Sequence, residues 1–228
     1  MRSKKKFRNG GDLVIEIYLF VNPIGKRCLS IERRIINLIN QYDMKIQLRM
    51  IPIMNLKTVS EFMQRIGASE KDIQLRTELS QEIHSAALDV KAAHLQGKKR
   101  GRDFLVELQK AVGEQNQPYS KKMAIQLFTK VGGDLEMFLE DRHSAFVQEA
   151  FLTDQQIAHE MQITCHPSAV ISNYGSDSDA GIRIEGCDTI HHILDTYSTK
   201  ESLIAFLESQ SKDRPIRQSD IDNHLSLI

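Results

Sequence analysis

The chain has 228 residues, 41% of them apolar and 26% charged, and its 30 Lys and Arg residues balance 30 Asp and Glu. That length buries the core of one domain carrying an insertion, or of two small domains, and the composition is that of a globular protein, not a disordered one. The neutral balance excludes a global field that would recruit nucleic acid or an anionic membrane.

The basic start MRSKKKFRNGG (residues 1–11) runs into Asp12 without the run of about 7 to 15 apolar residues that a secretory signal needs, so it reads as a flexible segment of a cytoplasmic protein. Leu13 to Val21 is rich in β-branched and aromatic residues and ends at Asn-Pro-Ile-Gly, the pattern of a buried strand closed by a turn. Glu16 interrupts it, and it is too short to cross a bilayer. Cys28, Ile31, Ile35, Leu38 and Ile39 then fall at helical spacing, predicting a helix from near Cys28. Lys45 to Met54 alternates Ile46, Leu48 and Met50 with polar residues and predicts a second strand. Strand, helix, strand is a βαβ opening.

From Thr58 to about Gln162 helical spacing takes over. Thr58-Val-Ser-Glu61 is a capping-box pattern, Gly67 a stop, and stripes around Leu79–His94, Phe104–Val112, Met123–Val131 and Leu135–Phe151 predict roughly five helices. A further capping-box pattern at Thr153–Gln156 predicts a short helix, and apolar residues after Pro167 predict a strand. The Ser/Asp/Gly-rich stretch Ser172–Gly181 and the run Ile182–Glu185 suggest a hairpin, Ser198-Thr-Lys-Glu201 caps a last helix, and Ser211–Ile228 reads as a loosely held tail. Three cysteines, Cys28, Cys165 and Cys187, are too few and odd in number for a disulfide framework, consistent with a reducing compartment.

Taken together the layout resembles the DsbA family: an α/β thioredoxin-like fold (12–56 and 153–210) with a large all-helical insertion (57–152), between a basic N-terminus (1–11) and a C-terminal tail (211–228). Two stretches carry the resemblance. Phe20-Val-Asn-Pro-Ile-Gly-Lys-Arg-Cys-Leu-Ser-Ile-Glu32 resembles the family's Phe-x-Asp-Pro-x-Cys-x-x-Cys-x-x-x-Glu segment, with Gly25 at the first cysteine and Cys28 at the second. Ala158 to Ile171 resembles the segment ending in the family's cis-proline loop, with Pro167 at the proline. The family's chemistry starts from a thiolate at the first cysteine, and glycine cannot supply one. Within the family the chain is similar to the SpxH (YjbH) branch of cytoplasmic adaptors. That resemblance implies a non-enzymatic protein that binds the transcription regulator Spx and promotes its degradation by the ClpXP protease, without cofactor. The alternative the superfamily offers is an enzyme, either a thiol-disulfide oxidoreductase using Cys28 or a glutathione-linked transferase or isomerase. Members of the latter kind place Ser or Cys where Gly25 stands.

Gly25, Lys26, Arg27, Cys28, His166 and Pro167 therefore mark the candidate partner-binding face. A helix start beside Lys26 and Arg27 favours a thiolate at Cys28, although a buried, inert thiol is the commoner state and is preferred here. A Cys28–Cys165 disulfide is geometrically conceivable in this fold and disfavoured. His166 reads equally as a peptide-docking residue and as a turn histidine. Cys187, His191 and His192 lack a Cys-x-x-Cys partner and are read as ordinary residues, with no metal expected. Lys98-Lys-Arg-Gly-Arg102 is read as a solvated loop at a helix junction, and with no Trp and no aromatic interleaving nucleic acid is not expected as a partner.

Overall fold

The computed structural model describes residues 14–42, 46–174, 180–210 and 216–217. The N-terminal segment 1–11 and most of the tail lie outside the described residues. β1 (Val14–Val21) leads through α1 (Lys26–Tyr42) to β2 (Ile46–Pro52), which pairs parallel to it from Ile15↔Ile46 to Val21↔Pro52. β3 (Ser168–Tyr174) and β4 (Ala180–Glu185) add antiparallel strands, and β5 (Ile216–Arg217), taken from the expected tail, pairs with the start of β4. The sheet order is β2-β1-β3-β4-β5.

β1 is an inner strand, flanked by β2 and β3 and buried on both faces, which is why its sequence is a near-continuous apolar run. Ile15, Ile17, Leu19 and Val21 face the main core, which reaches α1, the C-terminal helices and the helices of the middle of the chain. Tyr18 and Phe20 face a smaller cluster with Ile157, Ala158 and Met161. Full burial of each such side chain contributes about 1.5–3 kcal/mol.

Between β2 and β3 run α2 (Leu56–Arg65), α3 (Ile73–Leu95), α4 (Lys98–Gln109), a π-helical turn (Lys110–Glu114), α5 (Lys121–Lys130), α6 (Leu135–Asp141) and α7 (Ala145–Glu160). Phe104, Phe128 and Phe138 form one aromatic cluster, with Phe128 and Phe138 stacked at 4.1 Å. Asp89 is fully buried between Arg142 (2.7 Å) and the hydroxyl of Tyr119, which donates to it at 2.6 Å. Burial still pushes the Asp89 carboxyl up to about 6 against the pull of both partners, so desolvation exceeds their attraction. The pair ties α3 to the C-terminal end of α6, and desolvation leaves it little net stabilisation.

Three expected helix starts are displaced. Asn55, not Thr58, caps α2, its side chain accepting from Thr58 N–H; Thr58 is buried within the first turn. Thr153 opens no helix: it lies inside α7 and donates to Glu149 O at 2.9 Å, while Ser144 caps that helix by accepting from Val147 N–H. The expected division at residue 152/153 thus falls within one continuous helix. At the last helix, α9 (Lys200–Gln210), Thr199 Oγ1 accepts from Ser202 N–H, one residue beyond the expected Ser198–Glu201 pair. The basic run Lys98–Arg102 forms the first turns of α4 behind Gly97 and is not a loop. α8 (Cys187–Thr196) is a helix where no element was expected. No helix among the described residues is long and apolar enough to cross a membrane.

Removing one member of a buried ion pair leaves the other charge uncompensated. Arg142→Ala is expected to lower stability by roughly 3 kcal/mol or more, read from urea unfolding of the full chain.

Candidate functional site

The loop after β1 is built around Asn22. Its Oδ1 accepts from Ile24 N–H at 3.0 Å, its carbonyl accepts from Gly25 N–H at 3.0 Å, and its own N–H donates to Cys28 Sγ at 3.4 Å. The fully buried Gln109 of α4 donates from Nε2 to the Asn22 carbonyl at 3.0 Å. These bonds hold the chain in one tight turn that delivers Lys26 as the first residue of α1.

Gly25 occupies a closed position. A Cβ there would lie 2.9 Å from Asn22 Cβ and 3.2 Å from Asn22 O, so any side chain displaces the turn. Gly113, in the π-helical turn, packs against the same segment: a Cβ on it would lie 2.7 Å from Lys26 N and 2.9 Å from Lys26 Cα. Arg33 of α1 and Glu114 add a two-pronged pair at 2.9 and 3.2 Å. Insertion and motif loop are thereby in direct backbone contact, and a π-helical turn at this place accords with the frequent siting of such turns at functional positions.

Cys28 lies beneath the loop, with no exposure. Burial pushes its thiol well up, the charge of Glu32 adds to this, and the bond from Asn22 N–H opposes it only in part. It is a protonated, enclosed thiol rather than an exposed thiolate. Glu32, the last residue of the motif, is fully buried as well, and among the described residues neither of its oxygens makes a hydrogen bond. Burial raises its carboxyl to about 8, with the nearby Gln109 amide and Arg33 opposing. All three cysteines are free. Cys165 Sγ lies 3.5 Å from Ser168 Oγ and 3.7 Å from Glu185 Oε2.

Above the buried layer sits a cavity of about 370 Å³. Gly25, Lys26 and Arg27 form one wall, Glu61, Phe62, Gln64 and Arg65 of α2 form the facing one, and His166 closes it from the loop before β3. The His166–Pro167 peptide is cis. The structure thus brings Gly25, Lys26, Arg27 and His166 together around one space; Cys28 lies behind it and Pro167 does not line it.

His166 is pushed down to about 4 by burial and by Arg27, Arg65 and Lys57, so it is neutral near pH 7. Its Nε2 lies 3.6 Å from Glu61 Oε2 and its Nδ1 3.4 Å from Thr58 Oγ1, contacts that orient the ring without forming an ion pair at that pH. Arg65 stacks over Phe62, its guanidinium 4.1 Å from the ring centroid. Lys26, Arg27 and Arg65 against Glu61 leave the cavity positive. Its chemistry is suited to an acidic or carbonyl-rich segment, and no cysteine lines it.

The α2 residues escaped the reading of the sequence because nothing local ties positions 61–65 to residue 25. Asn22, Gln109 and Gly113 escaped for the same reason, although Asn22 sits in the quoted motif. Cys187 and His191 both turn toward Ser30, at 3.6 and 3.1 Å, while His192 is exposed. Among the described residues no three His, Cys, Asp or Glu side chains converge as metal ligands.

A βαβ opening, an antiparallel hairpin behind a cis-proline loop and a helical insertion define a thioredoxin-like protein of DsbA-type architecture. The family model described as Thioredoxin matches residues 18–195, and the chain belongs to that family. It is 26% identical over 196 residues to the ClpXP adapter protein SpxH of Staphylococcus saprophyticus, an alignment covering 86% of this chain and 69% of that one. To the ClpXP adapter proteins SpxH of Bacillus cereus and Bacillus subtilis it is 30% and 28% identical, over 75% of this chain and 64% and 62% of theirs. The chain therefore spans about two thirds of the length of these relatives. Among solved structures it is similar in fold to a putative protein disulfide isomerase from Nitrosomonas europaea, with TM-score 0.58, 12% identity, and 80% and 97% of the two chains covered. Pseudomonas aeruginosa DsbA matches with TM-score 0.54, 12% identity, and 89% and 91% covered.

Two outcomes are expected of the loop. Gly25→Cys, which would restore the spacing of a Cys-x-x-Cys pair, is expected to cost about 1–3 kcal/mol in urea unfolding because the turn has no room for its Cβ. Glu32 takes up its proton near pH 8 in the fold against 4.5 when unfolded, so its contribution is full below about pH 4.5 and is lost as pH rises through 8. Glu32→Gln is expected to remove that slope, so that its stability relative to the wild-type chain improves by on the order of 5 kcal/mol between pH 4 and pH 9. Thermal unfolding across that range measures it.

Proposed function

We propose that this chain is a protease adaptor, which binds a small regulatory protein of the Spx kind and promotes its degradation by the ClpXP protease in the cytoplasm. The observation that carries the reading is the motif loop itself. Gly25 stands where a nucleophile would be, Cys28 is enclosed and protonated, and what remains at the surface is a positive cavity of peptide-binding size. Likeness to proteins named ClpXP adapter over three quarters or more of the chain supports the same reading. Lys26, Arg27, Arg65 and His166 are the partner-binding residues in this proposal, with Gly25 and the His166–Pro167 loop shaping the wall and Cys28 as its support.

The oxidoreductase alternative rests on likeness of fold to DsbA proteins, which carries no chemistry by itself. Purified ClpXP and Spx, incubated with and without this chain, separate the two. The chain is expected to accelerate loss of Spx, Lys26→Glu combined with Arg65→Glu is expected to raise the concentration needed about tenfold or more, equivalent to 1.4 kcal/mol, and Cys28→Ser is expected to act as wild type. An unchanged rate of Spx loss, or turnover of a model disulfide that Cys28→Ser abolishes, would overturn the proposal.

A further inference from the structure

A second cavity, of about 330 Å³, lies away from the motif loop against β2. Four consecutive residues of that strand, Leu48 to Ile51, line it. Successive strand residues point to opposite faces of a sheet, so a wall made of all four is the strand's edge and not one of its faces. β2 ends the sheet, and among the described residues no strand pairs with its outer side.

The remaining walls come from α3, α4 and α7 and are strongly basic. Arg49, Lys91, Lys98 and Arg102 line the cavity against the single carboxylate of Asp154, which lies 2.8 Å from Lys91 Nζ. His94, lowered to about 4 by burial and by Lys91, brings no charge at neutral pH. Lys98 is exposed and has no ion-pair partner among the described residues. Arg102 stays 3.7 Å from Asp103, and its buried Nε–H makes no hydrogen bond among the described residues. Buried donors are rarely left so, and this one belongs to a residue of the cavity wall. Leu95 and Phe146, 40% and 51% exposed, supply apolar contact surface beside these cations.

We infer that this groove docks an extended acidic segment of a protein partner, added as a strand along Leu48–Ile51, its carboxylates on Lys98 and Arg102 and an apolar side chain against Leu95 and Phe146. Pairing along a sheet edge takes its affinity from the main chain and its specificity from alternate side chains, which matches a wall that is backbone on one side and mixed cation and apolar surface on the other. The apolar lining and the lone aromatic side chain favour a peptide over nucleic acid, which binds through successive stacking platforms. The inference rests on the adaptor reading only in taking a protein as the occupant.

The test uses the full chain and two fluorescein-labelled ten-residue peptides, one alternating Glu and Val and the other alternating Lys and Val. The Glu peptide is expected to bind saturably in a polarisation titration and to slow hydrogen exchange at residues 48–51. Lys98→Glu with Arg102→Glu is expected to weaken binding about tenfold or more, Lys98→Glu alone to weaken it less in the same direction, and the exposed Lys122→Glu to leave it unchanged. Equal binding of the Lys peptide, protection confined to residues 22–28, or affinity indifferent to Lys98→Glu would overturn the inference. So would a concentration-dependent dimer of the chain that Phe146→Asp abolishes, since the edge would then belong to a second copy, or tighter binding of oligo(dT) through the same residues. The titration needs neither ClpXP nor Spx, so its failure leaves the adaptor reading standing, and failure of that reading leaves the groove.

Discussion

The contact on which the site depends is the seating of the π-helical turn on the start of α1. With Gly113 pressed against the Lys26 backbone and Gln109 donating to the Asn22 carbonyl, the insertion becomes the floor of the motif loop. The consequences run outward from there. The turn at Asn22, braced by Gln109, closes on itself, and a Cβ at Gly25 would meet the Cβ and carbonyl oxygen of Asn22. α1 must begin at Lys26, and its first two side chains must project beside α2, where Glu61 to Arg65 complete the cavity. A loop that serves dithiol chemistry needs an accessible sulfur at its tip; this one is packed tightly enough to present a fixed wall.

The electrostatics follow from the same burial. Cys28 and Glu32 sit together in the layer under the loop, and for both the loss of water outweighs every favourable neighbour, so both stay protonated at neutral pH. Two groups that would be a nucleophile and a proton acceptor in an open site are here uncharged. The cavity's positive charge lies one layer higher, on Lys26, Arg27 and Arg65, and burial, together with Arg27, Arg65 and Lys57, keeps His166 neutral. What the loop presents at its surface is therefore positive charge and not a thiolate.

What could be read from the sequence was whatever a single element decides by itself. β1 is buried on both faces and announced itself as a near-continuous apolar run; β2, at the edge, announced itself by alternation. The substitution at Gly25 was legible because its neighbours Asn22, Pro23, Cys28 and Glu32 hold the motif's spacing. Caps were misread for a local reason. Thr58 and Thr153 carry the capping-box spacing, yet a Thr inside a helix can satisfy its hydroxyl locally, as Thr153 does on Glu149 O, and only the start of the packed face shows which residue is the cap. α8 was missed because only Ile190 and Leu194 of its ten residues are buried. The facing wall of the cavity, and the roles of Gln109 and Gly113, are set by the tertiary placement of α2 and of the insertion, for which the local pattern has no signal.

The sheet's topology explains why two basic cavities open where they do. β1, the strand nearest the motif loop, is enclosed by β2 and β3 and offers only its C-terminal end, where the first cavity opens. The described edge strands are β2 and the two-residue β5, and a long open edge invites unwanted pairing with other chains. Arg49 on the strand, with Lys98 and Arg102 facing it, answers that hazard by making a second copy of the same basic edge a poor partner, because like charges would be brought together. The same cations leave the edge open to a strand of opposite charge. A feature that protects the monomer therefore also selects what may join it, and the insertion that closes the motif loop at Gly113 supplies, through α4, two of the cations that do the selecting.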